Sequence, residues 1–268
     1  MLQGGLGNQL FQYAMGLAQA QRLGVELQLD ASRLGGKPHR ILNLDLFEGP
    51  AKHKVVYGST PTVVEQGFQY GDYDVVDDDV LCGYWQCEEY FRTYVPQMFR
   101  ALRPAQPFPQ LFFPYAERLI TEAGDASCFL GIRRGDYIAK QDYHGVLPLD
   151  YYERALRYVH NMTGKRPKVF VFSDDMDWCK NELKLPYQFE VVGSYFPTVG
   201  NVKGREDADI YLMGLCHNAI IANSSFHWWG AWAGDFRQQS RVVVAPQQWF
   251  TTTAVDSSTV TPERWARL

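Results

Sequence analysis

Residues 128–136 read Cys-Phe-Leu-Gly-Ile-Arg-Arg-Gly-Asp, a short apolar run that stops at two adjacent guanidinium groups and a carboxylate. The apolar part predicts a buried strand over 129–132. Three charges at the tip of a core strand do little for stability, whereas in open α/β sheets ligands bind outside the carboxyl ends of strands. Arginine grips phosphate oxygens in pairs and keeps its charge at any working pH. Arg133 and Arg134 therefore read as a clamp for a phosphate-bearing small molecule, with an exposed ion-pair cluster as the plainer explanation.

Working outward, the second half repeats this strand-then-helix rhythm. A helix is expected from 151, with Asp150 as its N-cap and Glu153 completing a capping box. A strand over 169–172 ends in Ser173-Asp174-Asp175 and leads into a helix over 176–183. A helix over 206–216 precedes a strand over 219–222, which ends in Asn223-Ser224-Ser225 where the next helix begins. A last strand is expected over 242–245. Alternating strands and helices imply a parallel sheet of Rossmann type, with its three polar strand ends along one edge.

The first half is less regular. Gly4-Gly5-Leu6-Gly7-Asn8-Gln9 is a glycine loop with almost no strand before it, followed by a helical period over 8–23 and a short strand over 25–29. Tyr84 to Phe91 reads as the opening of a helix, and the proline-rich run from Pro104 to Pro114 as a connector leading to a short helix over 115–123.

With 268 residues and 46% hydrophobic content the chain is long enough for one large or two small α/β domains. The net charge of −4 argues against a nucleic-acid binder, whose footprint is basic. Five scattered cysteines without metal-type spacing suit reduced thiols, with Cys128, Cys179 and Cys216 in the core. No leader or membrane-spanning run is visible, so a cytoplasmic location is expected, with peripheral membrane contact left open.

Several polar residues could carry chemistry. The Asn223-Ser224-Ser225 segment at a helix start could receive a phosphate on backbone amides, or Ser224 or Ser225 could simply cap the helix. Asp174 and Asp175 could meet a ribose or base, hold a metal or cap the next helix, but they lack the spacing of a DxD motif. Asn8 suits a sugar hydroxyl or a phosphate oxygen, and equally suits closing its own turn. Asp142 and His144, in the loop after the arginines, are candidate general bases, Asp142 slightly favoured, against a background of ordinary solvated loop residues. Trp228 and Trp232, four apart on one helix, are most simply core.

Four blocks of the chain resemble the bacterial and animal α-1,2-fucosyltransferase family, glycosyltransferase family 11. They are Gly4-Gly-Leu-Gly-Asn-Gln-Leu-Phe-Gln-Tyr-Ala14, Ile132-Arg-Arg-Gly-Asp-Tyr137, Val171-Phe-Ser-Asp-Asp175 and Ile221-Ala-Asn-Ser-Ser-Phe-His-Trp-Trp-Gly-Ala231. The resemblance implies an α/β, GT-B-like fold of two Rossmann-type domains facing a central cleft. Residues 1–125 would form the acceptor side and 126–268 the domain that binds GDP-fucose. It implies inverting transfer of L-fucose to the 2-hydroxyl of a terminal β-galactoside, without a metal and without a cofactor beyond the donor substrate. By motif position Arg133 would contact the diphosphate, Asp209 the guanine, and Ser224, Ser225 and Phe226 the donor, while Asn8 would lie near the transferred sugar.

Two departures mark this chain. The family usually has histidine two residues before the arginine pair, where this chain has Gly131. The catalytic base is not settled by motif, since the position of a related glutamate falls at Gln141, beside Asp142. A catalytically inactive sugar- or nucleotide-binding protein on the same fold, or a fucosyltransferase of other regiochemistry, stays open beside the main reading.

Overall fold

The computed structural model describes residues 1–35, 41–108, 110, 112–192, 204–237, 240–252 and 254–268. The chain divides into two α/β units, the GT-B-like division expected from the sequence. The first is built on Met1–Pro107 and takes back Val255–Pro262; the second begins at Phe108 and includes Ala208–Ala254.

In the first unit, helix α1 (Leu6–Leu23) is followed by strands β1 (Gln28–Asp30), β2 (Lys54–Val56), β3 (Val63–Val64) and β4 (Leu81–Cys82), and by helix α2 (Val95–Ala101). β1 pairs in parallel with β2, and β3 in parallel with β4. Residues 1–2 bridge the two ladders. The Leu2 amide donates to the Asp30 carbonyl at 2.7 Å, and the amino group of Met1 donates to the Leu81 carbonyl at 2.6 Å. This two-residue piece stands where a strand feeding the glycine loop belongs.

The second unit holds α3 (Phe112–Glu117), β5 (Ser127–Ile132), α4 (Gly135–Ile138), α5 (Leu149–Thr163), β6 (Lys168–Ser173), α6 (Met176–Asn181) and β7 (Phe189–Val191). It continues with α7 (Glu206–Leu215) from Ala208 onward, β8 (Asn218–Ile220), α8 (Ser225–Asp235), β9 (Val243–Ala245) and β10 (Ala266–Arg267). The strands form one parallel sheet in the order β10-β9-β8-β5-β6-β7. The chain builds outward from β5 to β7, then returns to β8 on the other side of β5. This is the doubly wound order, and the place where it reverses, between β5 and β8, is where such sheets open a crevice for ligands.

β5 is buried at all six positions, as a strand covered on both faces must be. Leu130 and Ile132 pack with Tyr151, Tyr152, Leu156 and Val159 of α5. Residues of opposite parity turn to the other face, where Phe129 meets Phe172 edge-on at 6.1 Å. Trp228, Trp229 and Trp232 of α8 are wholly buried, in keeping with a core role. All five cysteines are buried and unpaired. No helix among the described residues is long and apolar enough to cross a membrane.

Three local expectations need revision. The contact division falls at 107/108 rather than 125/126, because Phe108 stacks on Phe112 at 4.1 Å and opens a stretch whose Leu119 and Ala123 are buried in the second unit. Asp150 is not a cap: α5 starts two residues earlier than expected, at Leu149 behind Pro148, and Asp150 takes a first-turn place, paired with Arg154 at 2.7 Å. Residues 84–87 are not helical, since Trp85 is left-handed at φ 55°; helical turns begin only at Glu88–Tyr90, and the α-helix itself at Val95. The connector also includes residues 109 and 111, which lie outside the described residues.

Candidate functional site

The carboxyl edge of the second sheet gathers the polar strand ends. Arg133 leaves β5 on the face that Gly131 shares, and its side chain is 30% exposed, enough to reach a ligand. Its Nη2 donates to Asp136 Oδ1 at 2.6 Å. Its Nε lies 3.2 Å from Asp174 Oδ2, an electrostatic contact rather than an aligned hydrogen bond. The guanidinium carbon sits 5.2 Å from the Tyr137 ring centre. Burial works against the Arg133 charge, but Asp174 and Asp136 more than offset it, so its pKa lies above the ordinary arginine value.

Arg134 departs in another direction. Its Nε reaches Asp175 Oδ2 at 3.1 Å, and its guanidinium stacks 3.9 Å over Trp178. Its amide donates to Asp174 Oδ1 at 2.9 Å. The two arginines therefore do not converge as one fork: Arg133 lies among Asp136, Tyr137 and Asp174, and Arg134 is held by Asp175 and by Trp178 of α6. Asp175 also caps α6 by accepting from the Trp178 amide at 3.1 Å. Both aspartates are thus engaged by arginine side chain or backbone. No group of three or more His, Cys, Asp or Glu side chains placed to hold a metal ion occurs among the described residues.

Across the reversal point, α8 begins directly after β8. Ser224 occupies the N-cap position in extended conformation without a side-chain cap bond, so the simple capping explanation does not account for it. The first-turn amides of Ser225, Phe226 and His227, with the helix dipole, make this end favourable for an anion. Asn223 is spent on structure, donating to the carbonyls of His144 at 2.6 Å and Trp249 at 3.1 Å. Tyr137 closes the arrangement from the β5 side by donating to the Asn223 carbonyl at 2.8 Å. Asp209 lies on α7, 2% exposed.

The two candidate bases differ in setting. His144 stacks flat on Tyr137, with ring centres 4.3 Å apart and planes 8° from parallel. Burial, aided by Lys140, holds its pKa below the usual histidine value, so it is neutral at neutral pH. The Asp142 side chain is exposed, while its main-chain carbonyl accepts from Thr251 Oγ1 at 2.7 Å. For Asp136, burial raises the pKa, and the charges of Arg133 and Lys140 lower it further still, to a net depression.

The first unit carries a separate polar cluster on its glycine loop. Gly4 has φ 78°, and a Cβ there would lie 2.5 Å from Asn8 Nδ2, so only glycine leaves room for the Asn8 side chain. Asn8 Oδ1 accepts from Gln86 Nε2 at 2.9 Å. Gln86 is presented by the left-handed Trp85, and the turn is pinned by Glu65, which accepts from the amides of Tyr84 at 2.6 Å and Trp85 at 2.9 Å. Sequence reasoning missed Gln86 and took its segment for a helix. The available signal was a carboxamide isolated within an aromatic run. It also passed over Tyr137 and His227, which lay inside quoted motifs without a role.

Comparison with known proteins places these features in context. The family model described as Glycosyl transferase family 11 matches residues 117–264. The O-antigen biosynthesis glycosyltransferase WbnK of Escherichia coli is 39% identical over 142 residues, a match that spans 52% of this chain and 43% of WbnK. The alpha-1,2-colitosyltransferase of Escherichia coli is 29% identical over 300 aligned positions, covering 100% of this chain and 97% of that protein. Among solved structures, fucosyltransferase NodZ from Bradyrhizobium aligns with a TM-score of 0.48 at 17% identity, over 84% of this chain and 88% of that one.

Proposed function

We propose that this chain, which belongs to glycosyl transferase family 11, moves L-fucose from GDP-fucose to the 2-hydroxyl of a terminal β-galactoside with inversion, giving an α-1,2 linkage. The observation that carries the reading is the placement of Arg133 on one side of the sheet's reversal point and the amino end of α8 on the other. A diphosphate fits such a place, because it needs both a bidentate cation and a row of backbone donors.

The reaction is a single displacement. The acceptor O2 forms a bond to the sugar's anomeric carbon while the bond from that carbon to the β-phosphate oxygen breaks. The bonding electron pair leaves with GDP, and the hydroxyl proton passes to a base. Positive charge builds on the sugar ring as in glycoside hydrolysis, and negative charge builds on the phosphate. Arg133 and the first turn of α8 meet that growing negative charge, the kind of fixed electrostatics that supplies the largest share of many rate enhancements. Ser224, Ser225 and Phe226 line the donor segment, Asp209 is assigned to guanine, and Arg134, Asp174 and Asp175 hold the shape around Arg133. His144 is the better-prepared base, being neutral and rigidly stacked, with Asp142 the exposed rival. Asn8, paired with Gln86, is assigned to a sugar hydroxyl.

A second reading has its own support. The full-length match to an alpha-1,2-colitosyltransferase supports transfer of colitose in place of fucose, with GDP-colitose as the donor to test. Incubating the protein with lactose and either GDP-fucose or GDP-colitose separates the readings. GDP release with a 2′-linked product from GDP-fucose supports the first, and the same from GDP-colitose alone supports the second. Nucleotide binding with neither product would leave an inactive binding protein and refute both.

A further inference from the structure

Gly131 and His227 share one volume. Gly131 lies on β5 two residues before Arg133, on the face that meets His227 of α8. A Cβ built on Gly131 would lie 2.5 Å from both Cγ and Nδ1 of His227, which no real side chain tolerates. The imidazole therefore rests directly on the β5 backbone, and glycine is what admits it. His227 is the third residue of α8 and only 4% exposed. Its Nδ1 is buried without a hydrogen-bond partner. Burial, with the nearby Arg133 charge, drives its pKa down to about 3, so the ring is neutral at working pH.

An orphaned polar atom in a packed site is costly, and an apolar side chain of similar size would fill the space without that cost. The orphan lies at the sheet's reversal point, beside the arginine and within the helix turn that the diphosphate reading uses. We propose that His227 is a positioning residue of the donor site: its imidazole, seated over Gly131, sets Arg133 and the first turn of α8 on the nucleotide diphosphate. This rests on the diphosphate reading given above. It adds that one ring, reaching in from α8 rather than from β5, fixes the distance between the two halves of the anion site.

The experiment measures GDP affinity by calorimetry and steady-state kinetics with the sugar donor, alongside thermal midpoints. His227→Ala should weaken GDP binding about tenfold, because Arg133 and the first turn of α8 lose the ring that spaces them, and should raise the donor KM more than it lowers kcat. Gly131→Ala should do the same while removing no polar group, because its methyl displaces the ring. The exchanged variant Gly131→His/His227→Ser returns an imidazole to the same volume from the strand, and should recover most of the lost affinity. A purely structural ring would lower the thermal midpoint and leave GDP affinity in the folded protein unchanged, which would overturn the inference. So would an exchanged variant that folds yet binds GDP no better than His227→Ala. Failure of the wild-type protein to bind GDP would instead remove the diphosphate reading itself.

Discussion

The hydroxyl of Tyr137 donates to the backbone carbonyl of Asn223 at 2.8 Å, tying the loop that leaves β5 to the loop that leaves β8. The same ring lies against Arg133 on the one hand and His144 on the other. One phenol thus keeps the two margins of the crevice in register. Tyr137→Phe keeps the ring and loses the bond, so stability should fall by about 0.5–1.5 kcal/mol. Urea unfolding should show a lower midpoint with an unchanged slope. An unchanged midpoint would mean the bond contributes nothing.

Arg133 and Arg134 should respond differently to alanine. Arg133→Ala is expected to cost at least ~10²-fold in turnover, the scale for removing one charge-stabilising donor. Arg134→Ala removes a side chain already committed to Asp175 and Trp178, so its main effect should be on thermal stability. Arg133→Lys should recover only part of the loss, since an ammonium is a point charge and not a fork. Equal catalytic losses at both positions would show that both arginines reach the donor.

Stability should depend on acid through His227. Its pKa is about 3 in the folded chain, against an unperturbed value of about 6.5. Between those values the unfolded chain binds more protons, so stability is fully present above about 6.5 and is lost as pH falls toward the folded value, by at most about 1.4 kcal/mol per pH unit. His144 and Asp136 also have depressed values, but they contribute equally to the wild-type protein and to His227→Gln. The stability of the wild-type protein relative to His227→Gln should therefore fall on acidification from pH 7 to pH 4. Parallel curves would contradict the buried neutral ring.

Trp228 anchors α8, with no exposed surface and with Trp229, Trp232 and Trp265 around it at ring-centre distances of 5.0, 6.3 and 5.4 Å. Trp228→Ala should cost about 3–5 kcal/mol. Calorimetric unfolding checks this, and a loss below 1 kcal/mol would mean the cluster can collapse around the gap.

The second sheet was legible because its three central strands β8, β5 and β6 are apolar runs closed by polar clusters, as at Ile132–Arg133, Ser173–Asp174 and Ala222–Asn223. The first unit was not, because its strands are two or three residues long, too short for alternation to register. Asp150 looked like a cap by residue type, yet Pro148, with φ already near the extended start of a helix, holds that place. Adjacent Arg133 and Arg134 read as one clamp, although neighbouring residues leave an extended chain on opposite sides. The ring over Gly131 could not be read at all, since a vacancy on one strand and its occupant from a distant helix meet only after folding.

At rest Arg133 already has carboxylate company in Asp136 and Asp174. On the proposed reading, an incoming phosphate would compete with these resident anions rather than meet a bare cation, and its gain would be the difference between the two sets of contacts. The same internal competitors would reclaim the arginine after transfer, limiting how firmly spent nucleotide is held. The carboxylates beside the cation would then act as a counterweight that favours letting go.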